Sequence, residues 1–318
     1  MGNLKGKQKK RKKFAATFRH AGPGARPKAA RGGPKNRFLL EGMLGSGGMC
    51  EVYSALDLWR LEWSDKTPRV AVKRLLPELE GKRQAQIALA QEFFTLRHLV
   101  HPGVVRVYDL HPGPRGLCFS MELLEGPSLY QAQASTPAGL GRDGIWIANR
   151  LFETLSYLHE RGVVHADVKP SNLFQAPDSR LVLIDFNVSQ VVPKPGAACS
   201  PIAQGLRSSL KLPAHSLLHS SPERLQTGRP SMADDVYSAS CTVYELIAGR
   251  HPFNRMSSVE AEKENMKPEK LDALSGPQWK ALSRGLSFSP AERPAAGELW
   301  REFATQSIIS KLLVSLAG

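Results

Sequence analysis

The chain of 318 residues lacks the features typical of membrane-spanning and disulfide-rich proteins. It has no run of about 18 or more apolar residues, which argues against a membrane-spanning helix. No apolar segment with a small-residue cleavage site follows its basic start, which argues against a secretory signal. Its four cysteines are scattered without a CxxC pair. The sequence therefore predicts a reduced, cytoplasmic protein without a disulfide framework or a cysteine metal site.

Acidic residues are absent from residues 1–37, which carry 13 of the 43 Lys and Arg residues. The remainder holds 30 bases against 29 acids, so the net charge of +14 belongs almost wholly to this segment. That distribution argues against a globular body that binds nucleic acid by its own charge. With few large apolar residues, 1–37 is predicted to be a disordered basic arm. Either it is a solvated tail, or it binds nucleic acid, anionic lipid or an acidic protein.

The rest of the chain changes character once along its length. Short apolar runs with turn residues between them predict strands from Phe38 to about residue 122, interrupted by one helix over Lys82–Leu99. After a link at Leu124–Ser128, longer periodic segments predict helices. These segments cover 145–162, 234–249, about 277–286 and 296–304.

This order predicts an α+β fold with two lobes and a ligand cleft between them. The expected domain covers 38–304, with an N-terminal lobe at about 38–123 and a C-terminal lobe at about 124–304. Residues 305–318 are apolar but too short to cross a bilayer, so we expect a short C-terminal helix or tail there.

A glycine cluster lies between two of the predicted strands, in LGSGGMCEVYSA (44–55). Small residues let the backbone approach a ligand closely, so that amide groups can point at phosphate oxygens, although an ordinary hairpin has the same composition. Val52 stands where an apolar side chain would cover a planar base. Lys73 ends the apolar run of VAVK and needs a buried partner, for which Glu92 in the predicted helix is the candidate.

The segment VVHADVKPSNLF (163–174) places Asp167, Lys169 and Asn172 within six residues. Phosphoryl transfer to a hydroxyl needs a carboxylate near the attacking oxygen, a cation beside the moving phosphoryl group and an oxygen ligand for a metal ion. This segment supplies all three. A further strand, LVLIDFN (181–187), delivers Asp185 as a second metal ligand, while His165 is interpreted as a packed, hydrogen-bonded residue.

With these motifs in this order, the chain resembles the eukaryotic-type (Hanks-type) serine/threonine protein kinases, including bacterial members. The resemblance implies ATP and Mg²⁺ as cofactors, with Mn²⁺ as an alternative metal. It implies catalytic roles for Asp167, Lys169, Lys73 and Glu92, and metal binding by Asn172 and Asp185. The residues it implies for nucleotide binding are Gly45, Ser46, Gly47, Gly48, Val52, Ala71, Lys73, Met121, Glu122, Leu124 and Leu173.

Further landmarks of that family follow towards the end of the chain. SPE (221–223) stands where the family has APE, and the resemblance pairs Glu223 with Arg293. It also implies that Asp235 is a buried acid which anchors the catalytic loop. Ser216 stands where the family has a threonine that contacts the catalytic aspartate.

Three positions depart from the family pattern. Cys50 replaces the third glycine of the phosphate loop, Ala166 replaces the arginine before the catalytic aspartate, and Asn187 replaces the glycine of DFG. That arginine reads an activation-loop phosphate, so we expect an enzyme that is competent without this switch. The segment 188–220 carries candidate autophosphorylation sites at Ser200, Ser208 and Ser209.

Three functions fit these motifs. The leading hypothesis is a serine/threonine protein kinase that transfers the γ-phosphate of ATP to an unidentified protein substrate and to itself. A pseudokinase scaffold is favoured by the three departures but not by the retained catalytic set. A small-molecule kinase shares the Asp…Asn and Asp motifs, although SPE, Ser216 and Asp235 indicate a groove for protein substrates.

Overall fold

The computed structural model describes residues 37–63, 66–113, 116–192 and 217–304. The predictions for residues 1–36, for 305–318 and for Ser200, Ser208, Ser209 and Ser216 lie outside these ranges. None of the helices in the described ranges is long and apolar enough to cross a membrane.

The strands of the described residues are numbered in chain order. They are β1 Phe38–Ser46, β2 Cys50–Asp57, β3 Arg69–Leu75, β4 Val107–Gly113, β5 Gly116–Met121, β6 Val163–Val164, β7 Leu173–Gln175, β8 Leu181–Leu183 and β9 Gln190–Val191.

The α-helices are numbered in the same way. They are α1 Leu58–Glu62, α2 Arg83–Arg97, α3 Leu129–Ala134, α4 Asp143–Glu160, α5 Pro222–Thr227, α6 Met232–Ala248, α7 Ser258–Lys263, α8 Gly276–Gly285 and α9 over 296–304.

The N-terminal part is a five-stranded antiparallel sheet in the order β1-β2-β3-β5-β4. In β3 the apolar run Val70–Val72 is buried, which places the following Lys73 inside the protein. Helix α2 packs its buried Ala85, Leu89 and Phe93 in one cluster with Leu75 and Phe119 of the sheet. Four strands and α2 agree with the sequence-based expectation, and the sheet contains β5 as a fifth strand.

The C-terminal part is helical and is built around α4 and α6. Helix α6 is almost entirely buried, and its ends are fixed by a capping box at Ser231 and by Gly249 in the left-handed conformation, with φ 70°. Apolar side chains of both helices join one core cluster with those of β7 and β8. The small sheets β6-β9 and β7-β8 adjoin the loops of the candidate site, at 165–172 and 184–189. The α+β, two-lobed fold predicted from the sequence is confirmed.

Candidate active site

The N-terminal sheet contributes a buried ion pair to the site. The Nζ atom of Lys73 on β3 lies 2.6 Å from Oε1 of Glu92 on α2, and both side chains are at least 95% buried. These are the two residues that the sequence pattern paired. A buried ammonium group needs such a partner, because an uncompensated charge in the interior is strongly unfavourable.

The same lysine reaches across to the C-terminal part of the molecule. Its Nζ atom donates to Oδ1 of Asp185, just after β8, at 3.0 Å. Burial lowers the pKa of Lys73, but the carboxylates of Asp185 and Glu92 outweigh that effect and raise it. Burial likewise raises the pKa of Asp185, and Lys73 reverses the shift so that the net pKa is lowered. Both groups are therefore charged, and together they join the two parts of the site.

The catalytic-loop candidates converge on one carboxylate. Oδ2 of Asp167 accepts from Nζ of Lys169 at 2.7 Å and from Nδ2 of Asn172 at 3.0 Å. Nδ2 of Asn172 also donates to the backbone carbonyl of Asp167 at 2.9 Å. Because the asparagine donates through nitrogen, its amide oxygen is left to face a ligand.

Asp235, near the start of α6, holds the loop around Asp167 in place. Asp235 is completely buried, and its two carboxylate oxygens accept from the amides of His165 and Ala166, both at 2.7 Å. Oδ2 of Asp235 also contacts Nε2 of His159 at 3.0 Å. Ala166 has φ +67°, a conformation that few non-glycine residues adopt, and the Asp235 bonds fix it there.

His165 has the structural role that the sequence predicted. Its side chain is fully buried, Nε2 lies 3.0 Å from the carbonyl oxygen of Ile184, and the ring packs edge-on against Phe186. It therefore connects the catalytic loop to the strand that delivers Asp185.

The predicted nucleotide-binding residues lie on β2, β3 and β5, in the segment that follows β5, at the start of β7, and at the end of β1 and in the turn after it. Ala71 on β3 and Met121 on β5 are Cα partners, and Val52 on β2 faces Lys73 in the adjoining register. Leu173 is fully buried at the start of β7, in the core cluster against which Met121 and Leu124 pack. The turn after β1 is closed by a hydrogen bond from Gly47 N to Cys50 O. Gly45 is buried, whereas Ser46, Gly47 and Gly48 are exposed at this turn.

Glu122, in the segment that joins the two lobes, makes side-chain contacts that the sequence motifs did not predict. The carboxylate of Glu122 accepts from the backbone amide of Arg106 at 2.9 Å and from Nη2 of Arg180 at 3.1 Å. Arg180 lies 58 residues away, in the turn between β7 and β8. The charge of Glu122 next to Met121 indicates in the sequence that this side chain needs a partner. Which residue is the partner depends on the tertiary fold.

A second ion pair, between Arg293 and Glu223, lies in the C-terminal part of the molecule. Arg293 is buried and donates to Glu223 at 2.6 Å through Nη1 and at 3.0 Å through Nη2. It also donates to three backbone carbonyls and lies over the ring of Tyr237. This is the pair expected for the SPE segment.

The comparison with family models agrees with this geometry, since a model described as protein kinase domain matches residues 38–307. The chain belongs to the protein kinase family. Its similarity is to bacterial serine/threonine kinases in particular.

Three relatives illustrate that similarity. Serine/threonine-protein kinase PkaA of Streptomyces coelicolor is 28% identical over 84% of this chain and 49% of its own length. The kinase pkn2 of Myxococcus xanthus is 32% identical over 69% of this chain and 25% of its own length. PknB of Mycobacterium tuberculosis is 27% identical over 81% and 41%. The matched region thus covers at most about half of each relative.

Membership in the kinase family implies ATP and Mg²⁺, and the residues present fit them. Asn172 and Asp185 offer the hard oxygen ligands that Mg²⁺ prefers. Within the described ranges, Lys73 and Asn187 both contact Asp185 at Oδ1, which leaves Oδ2 for a cation. The Asp185 side chain is 35% exposed, whereas Lys73 is 5% exposed, so the carboxylate faces the open side of the pair.

Asn187, in place of the kinase glycine, makes a contact of its own. Its Nδ2 donates to Oδ1 of Asp185 at 2.5 Å, and its own Oδ1 is buried with no hydrogen-bond partner among the residues that the structure describes. Asp185 has φ +66°, so the loop after β8 holds a non-glycine residue in the left-handed region. The asparagine therefore fixes the carboxylate by a side-chain bond that glycine cannot make.

Cys50, in place of the third loop glycine, points inwards. It is 3% exposed, and burial raises the pKa of its thiol to about 12, with Lys73 opposing the shift. The thiolate is the reactive form, so this cysteine packs as a small apolar side chain.

Proposed function

We propose that this chain is an active serine/threonine protein kinase that transfers the γ-phosphate of ATP to a protein hydroxyl group. The observation that carries the proposal is the position of Lys73, which bridges Glu92 at 2.6 Å and Asp185 at 3.0 Å. This arrangement joins the phosphate-binding lysine to a metal ligand across the cleft, as kinase chemistry requires.

Each polar side chain has a defined task in this proposal. Asp167 orients the substrate hydroxyl and accepts its proton, and Lys169, at 2.7 Å from that carboxylate, contacts the γ-phosphate. Asn172 and Asp185 hold the metal, while Lys73 contacts the α- and β-phosphates. A Mg²⁺ ion held by Asn172 and Asp185 would supply positive charge against the negative charge that develops on the phosphoryl group during transfer. Mn²⁺ has similar ligand preferences and is the alternative metal.

The glycine-rich turn supports a role towards phosphate. In the described part of the chain, no atom lies within 4 Å of a Cβ built on Gly48, and its φ is not in the left-handed region. The surrounding fold therefore does not require glycine here. The absence of a side chain is explained by close approach of a ligand to the backbone. Val52, Ala71 and Leu173 would enclose the base, and Glu122 and Leu124 would meet it through their backbones.

A labelled-phosphate assay tests this function directly. The wild-type chain, incubated with ATP and Mg²⁺, should transfer phosphate to serine and threonine, including its own residues, and Asp167→Ala should lower the rate by about 1,000-fold. Asp272→Ala, which removes an exposed carboxylate, is the matched control. Phosphosite mapping of the product would locate autophosphorylation. No transfer by the wild type, with any metal or model substrate, would contradict the proposal.

The second candidate function is a scaffold that binds nucleotide without turnover. The bond from Asn187 to Asp185 favours it, because it occupies one oxygen of a metal ligand. Under this alternative, nucleotide raises the unfolding temperature of both wild type and Asp167→Ala, and neither transfers phosphate. The labelled assay together with thermal unfolding therefore separates the two functions.

We also propose that residues 1–37 bind a polyanion and that the kinase acts in a reducing cytoplasm. The arm carries 13 basic and no acidic residues, and the three cysteines within the described ranges are free and buried. Binding should weaken steeply with salt, because counterions compete for the same charges. Deletion of residues 1–37 should abolish it, and equal binding by the shortened chain would refute this part of the proposal.

A further inference from the structure

The segment that joins the two lobes is held by a side chain as well as by its backbone. The amide of Glu122 donates to the carbonyl oxygen of Arg106 at 2.9 Å, and the amide of Arg106 donates to Oε1 of Glu122 at 2.9 Å. Oε2 of Glu122 accepts from Nη2 of Arg180 at 3.1 Å. One carboxylate oxygen of Glu122 therefore binds the residue before β4, and the other binds the turn between β7 and β8.

Arg180 is itself oriented by its own turn. The carboxylate of Asp178 accepts from the Arg180 amide at 3.2 Å and from its Nε at 2.6 Å. The carbonyl oxygen of Arg180 accepts from the amide of Ala176 at 2.8 Å, which closes the turn. The Arg180 side chain is 31% exposed and that of Glu122 is 15% exposed, so their ion pair is partly shielded from water. A guanidinium group that is already oriented loses less conformational freedom when it binds a carboxylate.

The turn that carries Arg180 belongs to the same hairpin as Leu173. Strands β7 and β8 pair in antiparallel register, with Leu173 opposite Leu183. Leu173 is fully buried and is the residue of this hairpin that is predicted to enclose the nucleotide base. Arg180 therefore connects two parts of the candidate base site, which are the hairpin at the face of the base and the joining segment at its edge.

We propose that Arg180 is a positioning residue for nucleotide binding, which fixes the backbone of residues 122–124 relative to Leu173 through the carboxylate of Glu122. This inference rests on the proposed binding of ATP and adds to it a residue that does not touch the nucleotide. A backbone that is fixed before the ligand arrives needs less ordering on binding, so the ion pair increases the affinity. The gain depends on the base, because the joining segment would meet only the base end of the nucleotide.

Adenine and guanine differ at the edge that this segment would meet. Adenine carries an amino group, which can donate to a backbone carbonyl, at the position where guanine carries a carbonyl oxygen. Backbone groups placed for adenine therefore do not fit guanine, whereas the phosphates of the two nucleotides are identical. The ratio of the two affinities thus reports the position of the joining segment. A general loss of fold stability would weaken both nucleotides equally and would leave the ratio unchanged.

Calorimetric titration of the full chain with ADP and with GDP, both in the presence of Mg²⁺, tests the proposal. Arg180→Met keeps an extended side chain without the charge. It should raise the dissociation constant of ADP about fivefold and that of GDP by less than about twofold. The KM for ATP should rise by the same factor, with kcat unchanged within about twofold. Arg150→Met is the matched control, because it removes a guanidinium group that binds Glu153 at 2.7 Å on α4, and it should change neither dissociation constant.

Glu122→Gln tests the same pair from the other side. Glutamine keeps an oxygen that can accept from the Arg106 amide but removes the charge that binds Arg180. The single variant Glu122→Gln and the double variant Glu122→Gln/Arg180→Met should each weaken ADP binding by about the same factor as Arg180→Met, since one ion pair is lost in all three.

Three results would overturn the inference and leave the proposed function standing. They are an unchanged ADP affinity in Arg180→Met, equal losses of affinity for ADP and GDP, and additive losses in the double variant. A wild type that binds neither nucleotide would instead refute the proposed binding of ATP on which the inference rests.

Discussion

The loop that carries Asp167 and the loop that carries Asp185 each hold a residue with positive φ, but different contacts stabilise the two loops. Each contains one non-glycine residue in the left-handed region, Ala166 at φ +67° and Asp185 at φ +66°. The first is held through its backbone, since the buried Asp235 accepts from two successive amides at 2.7 Å. The second is held through its side chain, by Lys73 from the sheet and by Asn187 from its own loop.

This difference explains why the two loops tolerate different substitutions. A loop fixed by its amides keeps its shape whatever side chain stands at position 166, so alanine can replace arginine there without a structural change. A loop fixed by side chains changes when a side chain changes, so asparagine at 187 adds a contact. The Asp167 loop is positioned by the C-terminal core, whereas the Asp185 loop depends on both halves of the molecule.

Removal of the backbone anchor should have the largest effect. Asp235→Ala leaves the amides of His165 and Ala166 and the ring of His159 without their acceptor. Buried donors without partners cost about 1–3 kcal/mol each, so we expect the free energy of unfolding to fall by about 3 kcal/mol or more. Phosphate transfer should fall about 100-fold, because the reacting groups are displaced.

Denaturant unfolding and the labelled-phosphate assay measure both quantities, with the exposed Asp272→Ala as the control. If Asp235→Ala retained full activity, the claim that the backbone positions this loop would be wrong.

The second prediction concerns the pH dependence of stability that arises from His251, a buried residue of the C-terminal core. Its Nε2 lies 2.9 Å from the carbonyl oxygen of Leu218, and its Nδ1 accepts from the amides of Phe253 and Arg255 at 3.2 Å. These contacts fit the neutral ring. Burial, together with the charge of His219, lowers its pKa from 6.5 to about 4.

Because this folded-state pKa is depressed, the stabilisation by neutral His251 is present above pH 6.5 and is lost as the pH falls to about 4. At about 1.4 kcal/mol per pH unit, the loss approaches roughly 3 kcal/mol. Unfolding free energies of His251→Gln should vary less across this window than those of the wild type. The exposed His98→Gln should keep the wild-type slope, and a wild-type slope in His251→Gln would contradict the assignment.

Substitution of Asn187 tests whether side-chain contacts hold the Asp185 loop. Asn187→Gly restores the family residue and removes the bond to Asp185, so the carboxylate is less well positioned for metal. We expect the Mg²⁺ concentration for half-maximal activity to rise about fivefold, as for one partly exposed hydrogen bond to a charged group. Initial rates at fixed ATP and varied Mg²⁺ measure it.

Asn187→Asp is the informative companion variant, because it keeps the size but replaces the donor with a second negative charge. Its Mg²⁺ requirement should rise further. A lower requirement in Asn187→Gly would show that the asparagine restrains catalysis and would strengthen the scaffold alternative.

The smallest effect is expected from dephosphorylation. With Ala166 in place of arginine, no side chain at that position can bind an activation-loop phosphate. Phosphatase treatment of purified protein should therefore change the transfer rate by less than about twofold. Ala166→Arg should introduce a phosphate dependence without changing the backbone. A large drop in wild-type activity after treatment would contradict this prediction.

The long elements could be predicted from the sequence because they carry a strong signal. Helices α2, α4 and α6 have periodic apolar faces over 15 to 18 residues and appear within two residues of their predicted bounds. Strand β5 was not singled out, since its six residues show no alternation. Helix α1 was missed because five residues give no period, and its one signal was the capping Asp57.

The residue types of the site could also be predicted, but not all of their contacts. The spacing of Asp167, Lys169 and Asn172 within one loop restricts where they can lie, so their convergence follows from local geometry. The direction of the Asn187 amide and the pairing of Glu122 with Arg180 depend on side-chain torsions and on packing between distant segments. No pattern along the chain carries that information.

Arg293 sets a practical limit on how short this protein can be made. Its guanidinium group is fully enclosed and joins Glu223, the start of α6 and the loop before α9. A fragment that ends before this residue loses the buried cation that pairs with Glu223, although every candidate nucleotide-binding residue is still present. Such a fragment should aggregate on expression instead of yielding a smaller working enzyme.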